Sequence, residues 1–317
     1  MPEAPLVLAL GAGGFIGSHL VDSLVARGYR VRAMDRFVPD IPPQFRPSDL
    51  IETISGDFLN RGDLATVLRG VDQVVHLVST TNPATAENDP LIDIETNIRG
   101  SVQLFEMCAQ ADVKRVVYAS SGGTVYGDSL GTDPIKETDP THPVSPYGIG
   151  KLTVENYLRY FARKRGLHST TFRVANPFGE RQPFWKRQGV IPIFLEAITA
   201  HKPLTVMGDG SMTRDYIYVT DVTEMIADSL AREPQHDVYN LGSGVGVSVN
   251  EIVRTIEAVT GIEAIVQHVP VPPTFVQSSV LDMSRYEAEF GGHHSVSFAD
   301  GIRHTYDYLK KVRDQHH

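Results

Sequence analysis

Short apolar runs alternate with longer stretches of helical periodicity through the first half of the chain. Residues 6–10, 30–34, 73–78, 115–120 and 168–173 gather β-branched and other apolar side chains over a few positions and are predicted as strands. Between them, apolar positions recur every three or four residues near 15–27, 62–69, 91–111 and 146–165, which predicts helices. Such alternation implies a doubly wound α/β fold with a parallel sheet, because each crossover helix must bury its apolar stripe on one face of the sheet or the other. Sheets of this kind bind ligands beyond the carboxyl ends of the strands, where strand order reverses, so the loops that follow the strands are expected to carry the chemistry.

Beyond about residue 176 the pattern changes to shorter helical stretches punctuated by proline and glycine. Two helix starts stand out there, Asp221 with Glu224 and Ser248 with Glu251, each a side-chain cap followed three positions later by a glutamate able to reach back. The expected division is a sheet domain over 1–175, taking in about 214–241 as well, and a smaller α/β lobe built mainly from 176–317. With 317 residues, 41% hydrophobic and 21% charged, the chain has the balance of an ordinary globular protein. Its 38 acidic against 29 basic residues give a net charge of −9, a surface that repels phosphate backbones and sets nucleic acid aside as a partner. Cys108 is the single cysteine, so neither an internal disulfide nor a cysteine-based metal site is expected; this suits a reducing compartment and predicts a cytoplasmic protein. The start lacks the basic flank of a signal peptide, and no run approaches the roughly eighteen apolar residues of a membrane helix. His316 and His317 are as consistent with a tag remnant as with native sequence and enter no functional assignment.

Gly11, Gly14 and Gly17 follow the first strand at intervals of three and open the first helix, with Phe15 and Ile16 inside the same turn. Glycines at such a turn let the backbone approach a pyrophosphate, whose charge is met by free N–H groups at the helix N-terminus. Asp35, closing the second strand, is placed to accept hydrogen bonds from adenosine ribose hydroxyls and to repel a 2′-phosphate, which favours NAD over NADP. The neighbouring Arg36 is the one feature that would suit that phosphate. Asp57 fits an adenine contact, although an ordinary surface-loop aspartate has the same local sequence.

Ser145 and Pro146 form a helix start that puts Tyr147 and Lys151 one turn apart on the same face. A lysine ammonium near a phenol stabilises the phenolate and lets a tyrosine act as a base near neutral pH. Tyr160 with Lys164 and Tyr306 with Lys310 repeat the spacing, but both fall within amphipathic helices away from any strand end and read as solvated faces. Tyr147 differs in its company. The strand at 115–120 runs into Ser120-Ser121-Gly122-Gly123-Thr124-Val125-Tyr126-Gly127, a small hydroxyl-rich loop at the sheet edge where a substrate hydroxyl would lie.

With these residues in this order, the sequence resembles the extended short-chain dehydrogenase/reductase family, and within it the NAD-dependent nucleotide-sugar epimerases of the UDP-glucose 4-epimerase type. The resemblance runs over nearly the whole chain, through the three glycines, Asp57, Val75-His76-Leu77, Asn97, 120–127, Tyr147 and Lys151, Asn176-Pro177, Arg214-Asp215-Tyr216-Ile217 and Tyr239-Asn240-Leu241-Gly242. It implies a Rossmann-type sheet with a C-terminal substrate lobe, tightly bound and recycled NAD, and transient oxidation of a UDP-hexose at C4 with inversion when the hydride returns. It further implies that Tyr147 is the base and that Lys151 holds the nicotinamide ribose beside it. Gly11, Gly14, Phe15, Ile16, Gly17, Asp35, Arg36, Asp57, Phe58, Leu77, Val78, Ser79, Asn97, Ser120 and Val174 would line the cofactor. Thr80, Thr124, Asn176, Val190 and Arg214 would meet the nucleotide sugar, Arg214 through its diphosphate. Asn97 reads equally well as a structural helix residue. Relatives commonly pair through helices that correspond to 91–111 and 146–165, so a homodimer is expected.

Two stretches depart from the family. Its catalytic serine or threonine lies four positions before the tyrosine of the V-Y-G turn, and here that place is Gly122. Thr124 or Ser121 is expected to supply the hydroxyl, Thr124 being favoured because it lies two positions on, on the same side of an extended loop. The segment 269–277 is neutral throughout, where relatives often carry an arginine and an aspartate that grip the nucleotide. A nucleotide-sugar 4,6-dehydratase would begin with the same oxidation but needs an acid and a base just after the catalytic hydroxyl, where this chain has Gly123 and Thr124. A reductase and a non-catalytic NAD- or nucleotide-sugar-binding protein are the remaining readings; Gly122 makes the last conceivable, and the paired Tyr147 and Lys151 oppose it.

Overall fold

Strand β1 (Leu6–Leu10) is buried along its whole length, as expected of a strand covered on both faces, and it lies inside a parallel sheet. The computed structural model describes residues 4–128, 133–183, 189–271, 277–292 and 295–314. After β1 come α1 (Phe15–Ala26), β2 (Arg30–Asp35), β3 (Ile51–Ser55), α2 (Arg61–Val67), β4 (Gln73–His76), the short α3 (Pro83–Asn88) and α4 (Pro90–Ile92), and α5 (Arg99–Gln110). They are followed by β5 (Arg115–Ser121), α6 (Gly122–Val125), α7 (Pro146–Arg165) and β6 (His168–Val174). The second half contains β7 (Asn176–Phe178), α8 (Val190–Thr199), β8 (Leu204–Met207), β9 (Thr213–Tyr218), α9 (Val219–Ser229), β10 (Val238–Leu241) and β11 (Gly246–Ser248). It ends with α10 (Val249–Thr260), β12 (Val266–Val269), β13 (Ser278–Ser279), α11 (Ser284–Phe290) and α12 (Phe298–Asp314).

Seven parallel strands form the main sheet in the order β10-β6-β5-β4-β1-β2-β3. The chain moves outward through β2 and β3 and restarts at β4 on the other side of β1, so the order reverses between β1 and β4. The carboxyl ends of those two strands flank the crevice in which such folds take ligands. One face of the sheet is covered by α1 and α9 through Leu20, Leu24, Val222 and Ile226, the other by α2, α5 and α7 through Leu64, Leu104, Phe105 and Leu158. Each fully buried leucine in these layers contributes about 1.5–3 kcal/mol. A third apolar cluster, including Phe178, Leu195, Ile252 and Ile302, holds the C-terminal lobe together. Among the described residues no helix is long and apolar enough to cross a membrane.

Helix α7 has the bounds its sequence predicts. The Ser145 hydroxyl accepts from the Gly148 amide at 3.2 Å, Pro146 sits in the first turn, and Gly166 at φ +67° ends the helix. The Ser248–Glu251 capping box is present, with the Ser248 amide donating to Glu251 Oε2 at 2.7 Å. Asp221 is not a cap. Helix α9 starts at Val219, straight out of β9, and the buried Asp221 carboxylate instead accepts from the Val296 amide at 3.0 Å, a tertiary contact. The helix expected over 91–111 is broken into α4, a π-helical stretch Asp93–Ile98 and α5. Asp89 restarts the helix before Pro90, and the wider π turn sets Asp93 and Asn97 against Thr81. Strand β4 stops at His76 rather than 78, and β3 and β10 join the sheet as strands the pattern does not announce.

Candidate active site

The glycine turn is built by close backbone packing. Gly11 has φ +87°, and its amide and that of Ala12 both donate to the Met34 carbonyl at the end of β2, at 3.0 and 3.1 Å. A Cβ on Gly17 would lie 1.9 Å from the Gly11 carbonyl oxygen, so only glycine lets α1 start this near the turn. Phe15 and Ile16 begin α1 beside it. Asp35 reaches back across the turn, accepting from the Gly13 amide at 2.9 Å through one oxygen and from the Arg36 amide at 2.7 Å through the other. Gly13 was not singled out by the spacing rule, and its contact with Asp35 is what marks it. A small cleft, open to solvent, is lined by Gly11, Asp35, Arg36, Gly56, Phe58, Val78 and Thr80 among others. Arg36 leans toward Asp57, 3.5 Å away, and Asp57 also accepts from the Leu59 amide at 2.9 Å. The cradle a Cβ would fill and the carboxylate at the end of β2 fit a dinucleotide, its pyrophosphate on the turn and its ribose at Asp35.

The loop after β4 carries Leu77, Val78, Ser79 and Thr80, of which Val78 and Thr80 line the cleft. Asn97 braces it: its side-chain oxygen accepts from the Thr80 amide at 2.9 Å, and its side-chain amide donates to Thr81 and Asp93 at 2.7 and 2.8 Å. Asn97 thus acts on the loop. His76, at the end of β4, is 1% exposed and stacks near Phe58 and Tyr118. Its Nε2 pairs with the Ser101 hydroxyl at 2.9 Å, while Nδ1 has no hydrogen-bond partner. Burial, with the charge of Lys151 adding to it, lowers its pKa to about 3 and keeps the ring neutral.

At the chemical end, Lys151 is buried and donates to the Ala119 carbonyl of β5 at 3.0 Å. Its ammonium lies 5.6 Å from the centre of the Tyr147 ring and 5.0 Å from that of Tyr118. Helix α6 packs closely on the start of α7: a Cβ on Gly148 would lie 2.7 Å from the Thr124 carbonyl. The Thr124 hydroxyl is buried and has no hydrogen-bond partner in the protein. Gly122 faces elsewhere: a Cβ there would lie 2.6 Å from Leu281 and 2.9 Å from the Arg173 carbonyl, pointing into the core. Ser121 ends β5 and makes no side-chain cap to α6. The Ser120 hydroxyl is committed to Glu155 at 2.5 Å rather than turned to the cofactor groove. Glu155 and its partner Arg173 carry no local sequence signal, since each stands among other polar or charged residues of its element. Tyr306 and Lys310 also bring ring and ammonium together, 4.4 Å apart, but on an exposed face of α12.

Asn176, at the start of β7, donates to the Asp215 carbonyl at 2.9 Å and lies across from Gly123, whose Cβ would come 3.5 Å from its side chain. Val174 ends β6, and Val190 opens α8. Arg214 on β9 is partly buried and bonds the Thr213 carbonyl at 2.8 Å; burial pulls its pKa below the usual arginine value. Asp215 beside it is fully buried and gathers the Ser243, Gly244 and Leu281 amides, pinning the lobe to the sheet. Of the neutral segment 269–277, residues 272–276 lie outside the described residues, as do His316 and His317.

Residues 7–242 match the NAD dependent epimerase/dehydratase family. The structure is similar to that of a UDP-glucose 4-epimerase with UDP-glucose from Thermotoga maritima, with a TM-score of 0.90 and 32% identity over 97% of this chain and 99% of that one. It is similar as well to a Thermus thermophilus UDP-glucose 4-epimerase in complex with NAD, with a TM-score of 0.87 and 32% identity over 96% of this chain and 99% of that one. A dTDP-4-dehydro-6-deoxyglucose reductase from Escherichia coli is 31% identical over 303 residues, 93% of this chain and 95% of its own length.

Proposed function

The chain belongs to the NAD-dependent epimerase/dehydratase family of nucleotide-sugar enzymes, and from that premise we propose that it inverts C4 of a UDP-hexose by transient oxidation to a 4-keto sugar. The reading is carried by one arrangement: Tyr147 and Lys151 one turn apart at the end of β5, in a chain whose glycine cradle suits a dinucleotide. Bound NAD supplies the acceptor for the C4 hydride and its donor on return. Tyr147 as phenolate takes the proton of the C4 hydroxyl as the carbonyl forms and gives it back to the same oxygen when the carbon is reduced from its other face. Lys151, fixed by the Ala119 carbonyl, keeps positive charge beside the phenolate and is placed to hold the nicotinamide ribose. Thr124 takes the hydroxyl contact to the reacting oxygen that Gly122 cannot make, its buried hydroxyl turning toward the substrate to do so. Asn176 and Arg214 meet the nucleotide sugar, Arg214 at the diphosphate. The loop 120–127 contains no carboxylate, and elimination of water from the 4-keto sugar would need an acid and a base there.

The cofactor half is 1–175 with about 214–241, and 176–317 forms most of the substrate lobe. Two copies pair through the region 91–111 and α7, where Leu91, Ile94, Ile149, Tyr157 and Tyr160 lie exposed. The reducing cytoplasm suits the buried, unpaired Cys108. The test is turnover of a panel of UDP-, dTDP- and GDP-sugars by the purified protein, followed by proton NMR. A C4 epimer formed without added cofactor supports the reading; a dehydrated product, or a reaction that consumes added reduced cofactor, replaces it with a dehydratase or a reductase.

A further inference from the structure

We infer that the buried ion pair Glu155–Arg173 is a positioning device for the loop 120–127, holding both of its ends in register with Tyr147 and Lys151; the catalytic part of this inference rests on the oxidation proposed above. Glu155 lies one turn beyond Lys151 and two beyond Tyr147 on the same side of α7. Arg173 comes from β6, paired in register with Ser120 of β5. Their side chains are 1% and 5% exposed, and the guanidinium donates to both carboxylate oxygens, Nη2 to Oε2 at 2.8 Å and Nε to each at 3.2 Å.

Three contacts lead from the pair to the loop. The Ser120 hydroxyl donates to Glu155 Oε1 at 2.5 Å at the start of the loop. The Arg173 guanidinium lies 4.8 Å over the ring of Tyr126 at its end, and the Tyr126 hydroxyl is held in turn by Asn240 at 2.7 Å. Between the two, the Arg173 carbonyl presses on Gly122, where a Cβ would come within 2.9 Å. Ser121 and Thr124 are thus carried on a segment fixed at both ends and in the middle.

Stability alone does not account for this arrangement. Taking two charges out of water is costly, and well-packed apolar residues of similar volume are commonly as stable or more so. One guanidinium nitrogen, Nη1, makes no hydrogen bond, so the pair is not even fully satisfied. Burial would lower the Arg173 pKa, but the hydrogen bonds and charge of Glu155 outweigh it and hold the guanidinium protonated. What the pair supplies that apolar side chains would not is a directed link between the helix bearing the base and the loop bearing the substrate hydroxyl partner. A shift of about 1 Å between such elements slows a reaction by roughly 100-fold.

The test uses the intact holoenzyme and the double variant Glu155→Met with Arg173→Met, which removes both charges and leaves neither buried alone. The variant is expected to fold and keep its NAD, while amide hydrogen exchange over 120–127 becomes about tenfold faster and kcat falls about tenfold with KM little changed. Exchange equal to the wild type would overturn the clamp, and faster exchange with an undiminished kcat would overturn the positioning role. If the double variant does not fold, Ser120→Ala leaves the pair intact and cuts one link; it should lower kcat about threefold or more, and an unchanged rate would overturn the inference. Wild-type protein that turns over no UDP-hexose would count against the proposed activity instead, and the exchange measurement would still decide the clamp.

Discussion

The ammonium of Lys151 lies 5.6 Å from the centre of the Tyr147 ring, one helical turn away, and is fixed there by the Ala119 carbonyl at 3.0 Å. The same bond keeps the ammonium beside the phenol that the proposed mechanism uses as its base. Tyr147→Phe removes the hydroxyl while leaving the ring and the helix start in place. It should lower kcat by about 10²–10⁴-fold with NAD content unchanged. Full activity in that variant would assign the base elsewhere.

The proposed mechanism gives Thr124 the hydroxyl contact that the family pattern gives to position 122, where this chain has glycine. Thr124→Val keeps shape and loses the orphan hydroxyl, and should cost about tenfold in kcat, or about 1.4 kcal/mol of transition-state stabilisation. A loss below about threefold removes Thr124 from the mechanism. Restoring the serine by Gly122→Ser should not rescue Thr124→Val, because the new Cβ would meet Leu281 at 2.6 Å and the Arg173 carbonyl at 2.9 Å. Thermal unfolding should show that substitution to be destabilising, by about 1–3 kcal/mol.

The cofactor cradle is equally specific in its demands. Gly17→Ala places a methyl 1.9 Å from the Gly11 carbonyl, so α1 must move away from the turn. The variant should purify with little or no NAD and melt at lower temperature, and a cofactor content equal to the wild type would contradict the packing described.

Asp35 bonds the Gly13 and Arg36 amides, and under the proposed function its charge faces the adenosine ribose. Asp35→Ala should weaken NAD binding by about ten- to a hundredfold, as loss of charge-assisted hydrogen bonds implies, and should narrow the preference over NADP. Equal discrimination by the variant, measured by titration of both cofactors, would place the selecting group elsewhere.

His76 makes a prediction about pH. Its pKa falls from 6.5 to about 3 on folding, so between those values the unfolded chain binds a proton at this site and the folded chain does not. Stability from keeping the ring neutral is therefore complete above pH 6.5 and is lost as pH falls toward 3. His76→Gln should relieve up to about 2 kcal/mol of the drop in unfolding free energy between pH 6.5 and pH 5. Urea denaturation at the two pH values measures it; a variant as acid-sensitive as the wild type would show that other groups take up the proton.

What the sequence made legible follows its local physics. The glycine turn, the Tyr147–Lys151 pair and the bounds of α7 depend on neighbours within a turn or two, and a cap, a proline and a closing glycine state them openly. Asp221 reads as a cap in the sequence because a partner such as Val296 is distant along the chain. The π-helical turn at 93–98 serves a loop on another element, through Thr81. Strand β3 alternates poorly because it is an edge strand, and β10 is four residues long, so both are recognised only once paired. Glu155 and Arg173 are unremarkable apart, and only the packing of α7 against β6 brings them together, beside the Ser120 that the β5–β6 register sets opposite Arg173. The orientation of Gly122 depends on Leu281, far along the chain, and could not be inferred from the loop.

The proposed reaction is tested most directly by incubating the holoenzyme with UDP-glucose deuterated at C4 of the sugar, in ordinary water with no added cofactor. Transient oxidation predicts a C4 epimer that keeps its deuterium at C4, because the hydride leaves and returns without meeting solvent. Washout of the label into water, or a dehydrated product in place of the epimer, would contradict the account.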